Sequence, residues 1–189
     1  RKIRAFRLPR GKRRPPVRGR AKRLGEKGEK KMFPAMRRSD KALPEREVSD
    51  MLQHCTSGVL ALCGKDGYPY AVPVSHVCDP KSKKLYFHCF REGYKLDLIR
   101  QNDRVSFCVV ERDDVVPEEF ATHFRSTVLF GRARIVTDDA LRRHALRLLN
   151  AKFSPQYPEQ GEKEIELSWE GVCVVEITPE HITGKGVPK

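Results

Sequence analysis

The stretch YFHCFREGYKLDLI, residues 86–99, sets an imidazole (His88), a thiol (Cys89) and an ammonium group (Lys95) within eight residues. The apolar run that ends in His88 and Cys89 predicts a strand. EGYKLDLIRQN, opened by Gly93, predicts a short helix with Lys95 in its first turn. A helix start collects unpaired backbone N–H groups and the positive end of the dipole, so it suits an anion, and a lysine there points to phosphate. His88 titrates near neutrality and suits proton delivery; a packed imidazole that only hydrogen-bonds its surroundings is the competing role. Cys89 has no recognisable acid or base arrangement that would make it a nucleophile. His76-x-Cys78 and His88-Cys89 lack the C-x2–4-C and H-x3–5-H spacings of zinc sites, so no metal centre is expected. His76 is expected to be structural. No GxGxxG follows a strand and no P-loop lysine motif occurs, which removes the two commonest phosphate cradles.

The elements that must position these groups are punctuated clearly. Pro44 followed by EREVSDMLQHC predicts a helix, with Val48, Met51, Leu52 and Cys55 along one side. SGVLALC, YPYAVPVSHV and LYFHC predict three strands, joined by a turn at Lys65-Asp66-Gly67 and another at DPKSKK. Pro69 and Pro73 assign YPYAVPVSHV to a sheet edge or a bulge. RVSFCVVE and RSTVLFGRARIV predict the fourth and fifth strands, with Gly131 marking a bulge or a close backbone approach. Between them RDDVVPEEFATHF reads as a long patternless connection. DDALRRHALRLLNAKF predicts the longest helix, SPQYPEQGEKEIELS a loop, and GVCVVEITP a sixth strand before the short tail HITGKGVPK. Six strands joined mostly by hairpin turns predict a mainly β protein, an antiparallel barrel with helices packed outside it.

The chain's 189 residues suffice for one domain with a sizeable core. Residues 1–31 hold 15 Lys and Arg against 2 Asp and Glu and so carry the whole formal charge of +13, while residues 32–189 hold 23 of each sign. The basicity therefore belongs to a segment and not to the domain at 32–189. Rich in Arg, Lys, Gly and Pro, residues 1–31 are expected to be disordered. They read either as an arm that holds nucleic-acid phosphates or as a segment upstream of the native start, since Met32 opens the first stretch that looks globular. No apolar run approaches the ~18 residues of a membrane span. Cys63, Cys89, Cys108 and Cys173 fall in strand-like runs and are expected to be small buried hydrophobes, reduced in the cytoplasm.

The segments MRRSDKALPE, DGYPYAVPVSHV, YFHCFREGYKLDLI, STVLFGRARIV and HITGKG resemble, in that order, the flavin-binding split barrels related to pyridoxamine 5'-phosphate oxidase, most of all the branch with the nitroimidazole-resistance reductases. The resemblance runs from about Met32 to Lys185. It implies a six-stranded antiparallel split β-barrel that dimerises with itself and binds FMN in clefts between the subunits. It implies that Val72, Pro73, Val74 and Ser75 offer backbone groups to the flavin ring, that His88, Cys89, Tyr94 and Lys95 hold the phosphate and ribityl chain, and that Ser126 reaches the cofactor from the partner subunit. It gives His88 a catalytic role in reducing a small organic acceptor such as a nitroaromatic. Where the oxidases proper carry Ser-Arg-Lys, this chain has Gly93-Tyr94-Lys95, so a tyrosine replaces one cation and true pyridoxamine phosphate oxidase activity is disfavoured. Haem, the deazaflavin F420 and a non-enzymatic flavin-binding or RNA-associated role remain the alternatives.

Overall fold

A computed structural model describes residues 33–65 and 67–187; the basic segment 1–31, Met32 and Asp66 of the first predicted turn lie outside the described residues. The predicted first helix forms as α1 (Glu45–His54), capped by Pro44, and buries Val48, Met51 and Leu52. Seven strands form one antiparallel sheet: β1 (Ser57–Cys63), β2 (Pro69–Ser75), β3 (Val77–Cys78), β4 (Leu85–Phe90), β5 (Arg104–Val116), β6 (Ala121–Ile135) and β7 (Val172–Gly186). Helix α2 (Tyr94–Gln101) follows β4, and α3 (Asp139–Phe153) and α4 (Pro158–Ser168) lie between β6 and β7.

The mainly β expectation holds, with four corrections. The count is seven, because YPYAVPVSHV breaks at His76 into β2 and the two-residue β3. The expected irregular connection at 112–124 is a ribbon: β5 and β6 stay paired to Val116↔Ala121, beyond a bulge at Val110/Arg112, and turn through Pro117–Glu119. None of its residues is fully buried, so no apolar period marks them. The expected loop after α3 contains α4, which buries only Gly161 and Ile165 and is held to α3 by ion pairs from Arg143 to Glu166 and Arg147 to Glu162. The expected tail HITGKG is strand, since β7 runs on beside β6 to Gly186. Gly131 does sit at a register shift, where an added Cβ would lie 2.3 Å from the Thr178 carbonyl oxygen.

Strand order explains how the sheet closes. It runs β2-β1-β5-β6-β7-β4-β3, so β2 and β3 are its two edges, yet His76 alone separates them in the chain. The sheet must therefore roll until its edges meet. Among the described residues β2 pairs only with β1, while β4 pairs with β7 and β3, so the barrel closes by contact between β2 and β4 without a continuous ladder there.

Inside, Leu60, Phe87, Phe107, Leu129, Val175 and Ile177 interdigitate, and Leu96, Leu98 and Ile99 of α2 join the same core. A second cluster packs Ala145, Leu146 and Leu149 of α3 and Ile165 of α4 on Val77, Tyr86 and Val174 from the opposite sheet face.

His76 fastens the closure and is structural, as expected. Fully buried and edge-on to Phe107, its Nε2 lies 3.0 Å from the Leu52 carbonyl, and Lys152 Nζ donates to the carbonyls of both Cys55 and His76. Burial, followed by the charge of Lys152, pushes its imidazole down to about 4. The neutral ring therefore donates through Nε2–H. The unfolded chain takes up a proton near the ordinary histidine value while the folded chain does not, so stability falls as pH drops from about 6.5 towards 4. Urea unfolding across that window should show the decline in the wild type, and a His76→Gln variant, less stable throughout, should lose this component of the slope.

Candidate functional site

Gly93 precedes α2 with φ +141°, a conformation natural only to glycine, and open space lies where a Cβ would stand. The N–H groups of Leu96 and Asp97 both donate to the Gly93 carbonyl, which leaves those of Tyr94 and Lys95 directed out of the helix end. Asp97, the acid of the first turn, pairs with Arg100 at 3.0 Å and not with Lys95. The Tyr94 ring meets Tyr70 of β2 edge-on at 5.1 Å, tying the helix start to the barrel's free edge. The chemistry of this donor set fits a phosphate: free N–H groups, a dipole end and an ammonium group, beside the open space at Gly93.

Strand period sorts the other expected residues into two sets. On β4, Leu85, Phe87 and Cys89 turn into the barrel and Tyr86 and His88 turn out, so His88 and Cys89 face opposite ways. Their side chains cannot meet one ligand together. On β2, Val72 and Val74 pack on the core while Pro73 and Ser75 are exposed. Ser75 and His88 are each exposed on the outward side of their own strands. As an edge strand, β2 also presents alternate backbone N–H and C=O groups with no strand partner, which is what a planar heterocycle rimmed with donors and acceptors needs. Crowding by the surrounding protein pushes the His88 imidazole below its ordinary value, so it is neutral at neutral pH.

Ser126 is elsewhere. His88 pairs with Val174 and Ser126 with Lys185, so eleven residues of β7 separate them, up to about 36 Å of strand. Ser126 lines a hollow of about 300 Å³ with Phe130, His181, Thr183 and Lys185. Lys185 and His181 belong to HITGKG, a segment with no expected site residue; the β6–β7 register brings them beside Ser126. A cavity of about 600 Å³ is a third place, between α1 and β7, lined by Met36, Leu43, Val48, Leu52, Cys78 and Ile182 among others. No three His, Cys, Asp or Glu side chains among the described residues converge as metal ligands, and no described helix is long and apolar enough to cross a membrane.

The cysteines depart from expectation. Cys173 is buried, but Cys89 and Cys108 are only partly so, and Cys63 is exposed at the end of β1. All six are unpaired.

The family model of pyridoxamine 5'-phosphate oxidase matches residues 44–186, from the cap of α1 to the end of β7. The chain belongs to the pyridoxamine 5'-phosphate oxidase family. No curated protein matches it. Among solved structures, this family member is similar to a conserved hypothetical protein of Mycobacterium tuberculosis, with TM-score 0.70, 18% identity and coverage of 82% of this chain and 95% of that one. A candidate 5-nitroimidazole antibiotic resistance protein of Bacteroides thetaiotaomicron gives TM-score 0.63 and 19% identity, covering 76% and 85%. The FAD and heme binding protein of Mycobacterium smegmatis gives TM-score 0.65 and 20% identity, covering 79% and 74%. At these identities the likeness is one of fold.

Proposed function

We propose that this chain is an FMN-dependent oxidoreductase that reduces small organic acceptors, nitroaromatic compounds among them, as a homodimer with a flavin at each subunit boundary. The observation that carries the reading is the free end of α2, where the Tyr94 and Lys95 N–H groups and the Lys95 ammonium group stand beside β2, an edge strand among the described residues, through the Tyr94–Tyr70 contact. Family membership supports the cofactor class, and the Bacteroides neighbour supports the acceptor class by its description alone.

FMN, when bound, supplies the electrons for reduction. The chain's own residues do the rest. Lys95 and the N–H groups of Tyr94 and Lys95 hold the phosphate, the edge of β2 orients the ring, and His88 passes a proton to the acceptor. His88→Ala is expected to retain flavin while turnover falls by about 10²-fold or more. With its value below the ordinary one, the imidazolium is lost as pH rises, so a step that needs it should slow from mildly acidic pH upward. Wild-type turnover in the variant would reduce His88 to a packing role.

Ser126 lies too far along β7 to share a ligand with His88 of its own chain, which supports a site built from two copies. In an isologous dimer, mixing Lys95→Ala with Ser126→Trp protomers regenerates one intact site per heterodimer, about a quarter of the wild-type total after random exchange. Recovery of flavin binding on mixing supports the shared site, and no recovery places both residues in one subunit's site or none.

The cofactor itself is tested by the visible spectrum of the purified protein and mass identification of what boiling releases. Released FMN supports the assignment. A Soret band moves it to haem, and a colourless protein that refuses added FMN ends the flavoenzyme reading.

A further inference from the structure

Cys89 and Cys173 stand directly opposite each other on β4 and β7. Both side chains turn into the barrel and belong to one core cluster, Cys173 buried and Cys89 partly so. Directly opposed residues of an antiparallel pair have Cα atoms about 4.5–5.5 Å apart. A disulfide spans about 4.4–6.8 Å between Cα atoms, so this pair can close without moving the backbone far. It is the one register-matched pair of cysteines among the described residues; Cys63 opposes Pro69, and Cys108 opposes Val59 and Val128. Interaction with its opposed partner thiol lowers Cys173 to about 7 and raises Cys89, and the charges of Arg100, Arg142 and Lys95 favour the Cys173 thiolate further. A thiolate beside a second thiol is the arrangement that exchanges with disulfides.

We propose that Cys89 and Cys173 form a reversible thiol–disulfide site that low-molecular-weight disulfides oxidise and thiols reduce. One thiolate attacks a sulfur of the oxidant and expels the first thiol, leaving a mixed disulfide. The second cysteine, deprotonated, attacks the protein sulfur of that bond and expels the second thiol. Two protons and two electrons leave the protein, and one disulfide molecule becomes two thiols. The new bond ties the end of β4 to β7 just before the chain turns through Gly93 into α2. None of this depends on the flavin assignment.

The test uses the full chain carrying Cys63→Ser, which removes the most exposed thiol and leaves five. The protein is equilibrated with glutathione disulfide or with reduced glutathione, acid-quenched, alkylated in denaturant, and read by intact mass and peptide mapping. Five alkylated cysteines under reduced glutathione, three under glutathione disulfide, and a Cys89–Cys173 crosslinked peptide are the expected result. Adding Cys89→Ser or Cys173→Ser should abolish that crosslink while the fold, followed by circular dichroism, persists. Five alkylated cysteines under excess glutathione disulfide would overturn the proposal, and so would a crosslink between any other pair. The background protein decides between these outcomes even if a double variant does not fold.

Discussion

Lys95→Ala should weaken FMN binding by about 10- to 150-fold while the folded chain remains intact. The range is the ~1.5–3 kcal/mol of a hydrogen bond to a charged group, converted at ~1.4 kcal/mol per tenfold. The fold should survive because Lys95 is only half-buried, whereas Leu96, Leu98 and Ile99 anchor α2 in the core. The residual affinity should come from the Tyr94 and Lys95 backbone N–H groups and the helix dipole, which contribute about 0.3–1 kcal/mol. Lys95→Arg, which keeps the charge, should recover part of the loss. Fluorescence titration of apoprotein with FMN measures both variants, and an unchanged Kd for Lys95→Ala would remove the phosphate clamp.

Glu176→Ala should cost about 3 kcal/mol of stability, the largest loss expected from any single charged residue here. The carboxylate is almost wholly buried on β7 and accepts from Arg134 Nε at 2.7 Å, Tyr86 Oη at 3.0 Å and Lys84 Nζ at 3.1 Å. Removing it strands the buried Tyr86 hydroxyl, while the two cations lie near enough to solvent to rehydrate. Burial alone would push the Glu176 carboxyl up, but bonds from Arg134, Lys84 and Tyr86 outweigh it and hold the group below its ordinary value. Burial and then the Glu176 bond push the tyrosine up to about 12. A depressed carboxylate contributes stability above its unfolded value and loses it as pH falls through the folded one. The advantage of the wild type over Glu176→Gln should therefore be full at neutral pH and shrink below about 4.5. Urea midpoints at several pH values, with an unchanged m, check both statements.

The parts of the fold legible in the sequence are those whose stability rests on apolar period. β1 begins and ends where SGVLALC does, and α1, β4 and α2 follow their patterns within a residue or two. The ribbon of β5 and β6 beyond Val110 and helix α4 escape notice because cross-strand pairing and surface ion pairs hold them, and neither leaves an apolar stripe. In the site, Lys95 at a helix start was readable from Gly93 and the apolar run after it. The opposed directions of His88 and Cys89 were implicit in the two-residue strand period, yet their adjacency in sequence groups them. The separation of Ser126 from His88 depends on strand order, a long-range property that no local window contains. Lys152, whose ammonium group joins α3 to two loop carbonyls, has no local signal at all.

The single residue between β2 and β3 has a mechanical consequence. An edge strand is ordinarily the cheapest part of a sheet to peel away. Here β2 cannot lift from β1 without pulling His76 from its buried seat and breaking the Lys152 contact that joins its carbonyl to α3. Amide protons of β1 facing β2 should therefore exchange with deuterium at rates set by opening of the whole barrel and not by local fraying. The edge left free to meet a ligand is in this way held as stiffly as the interior.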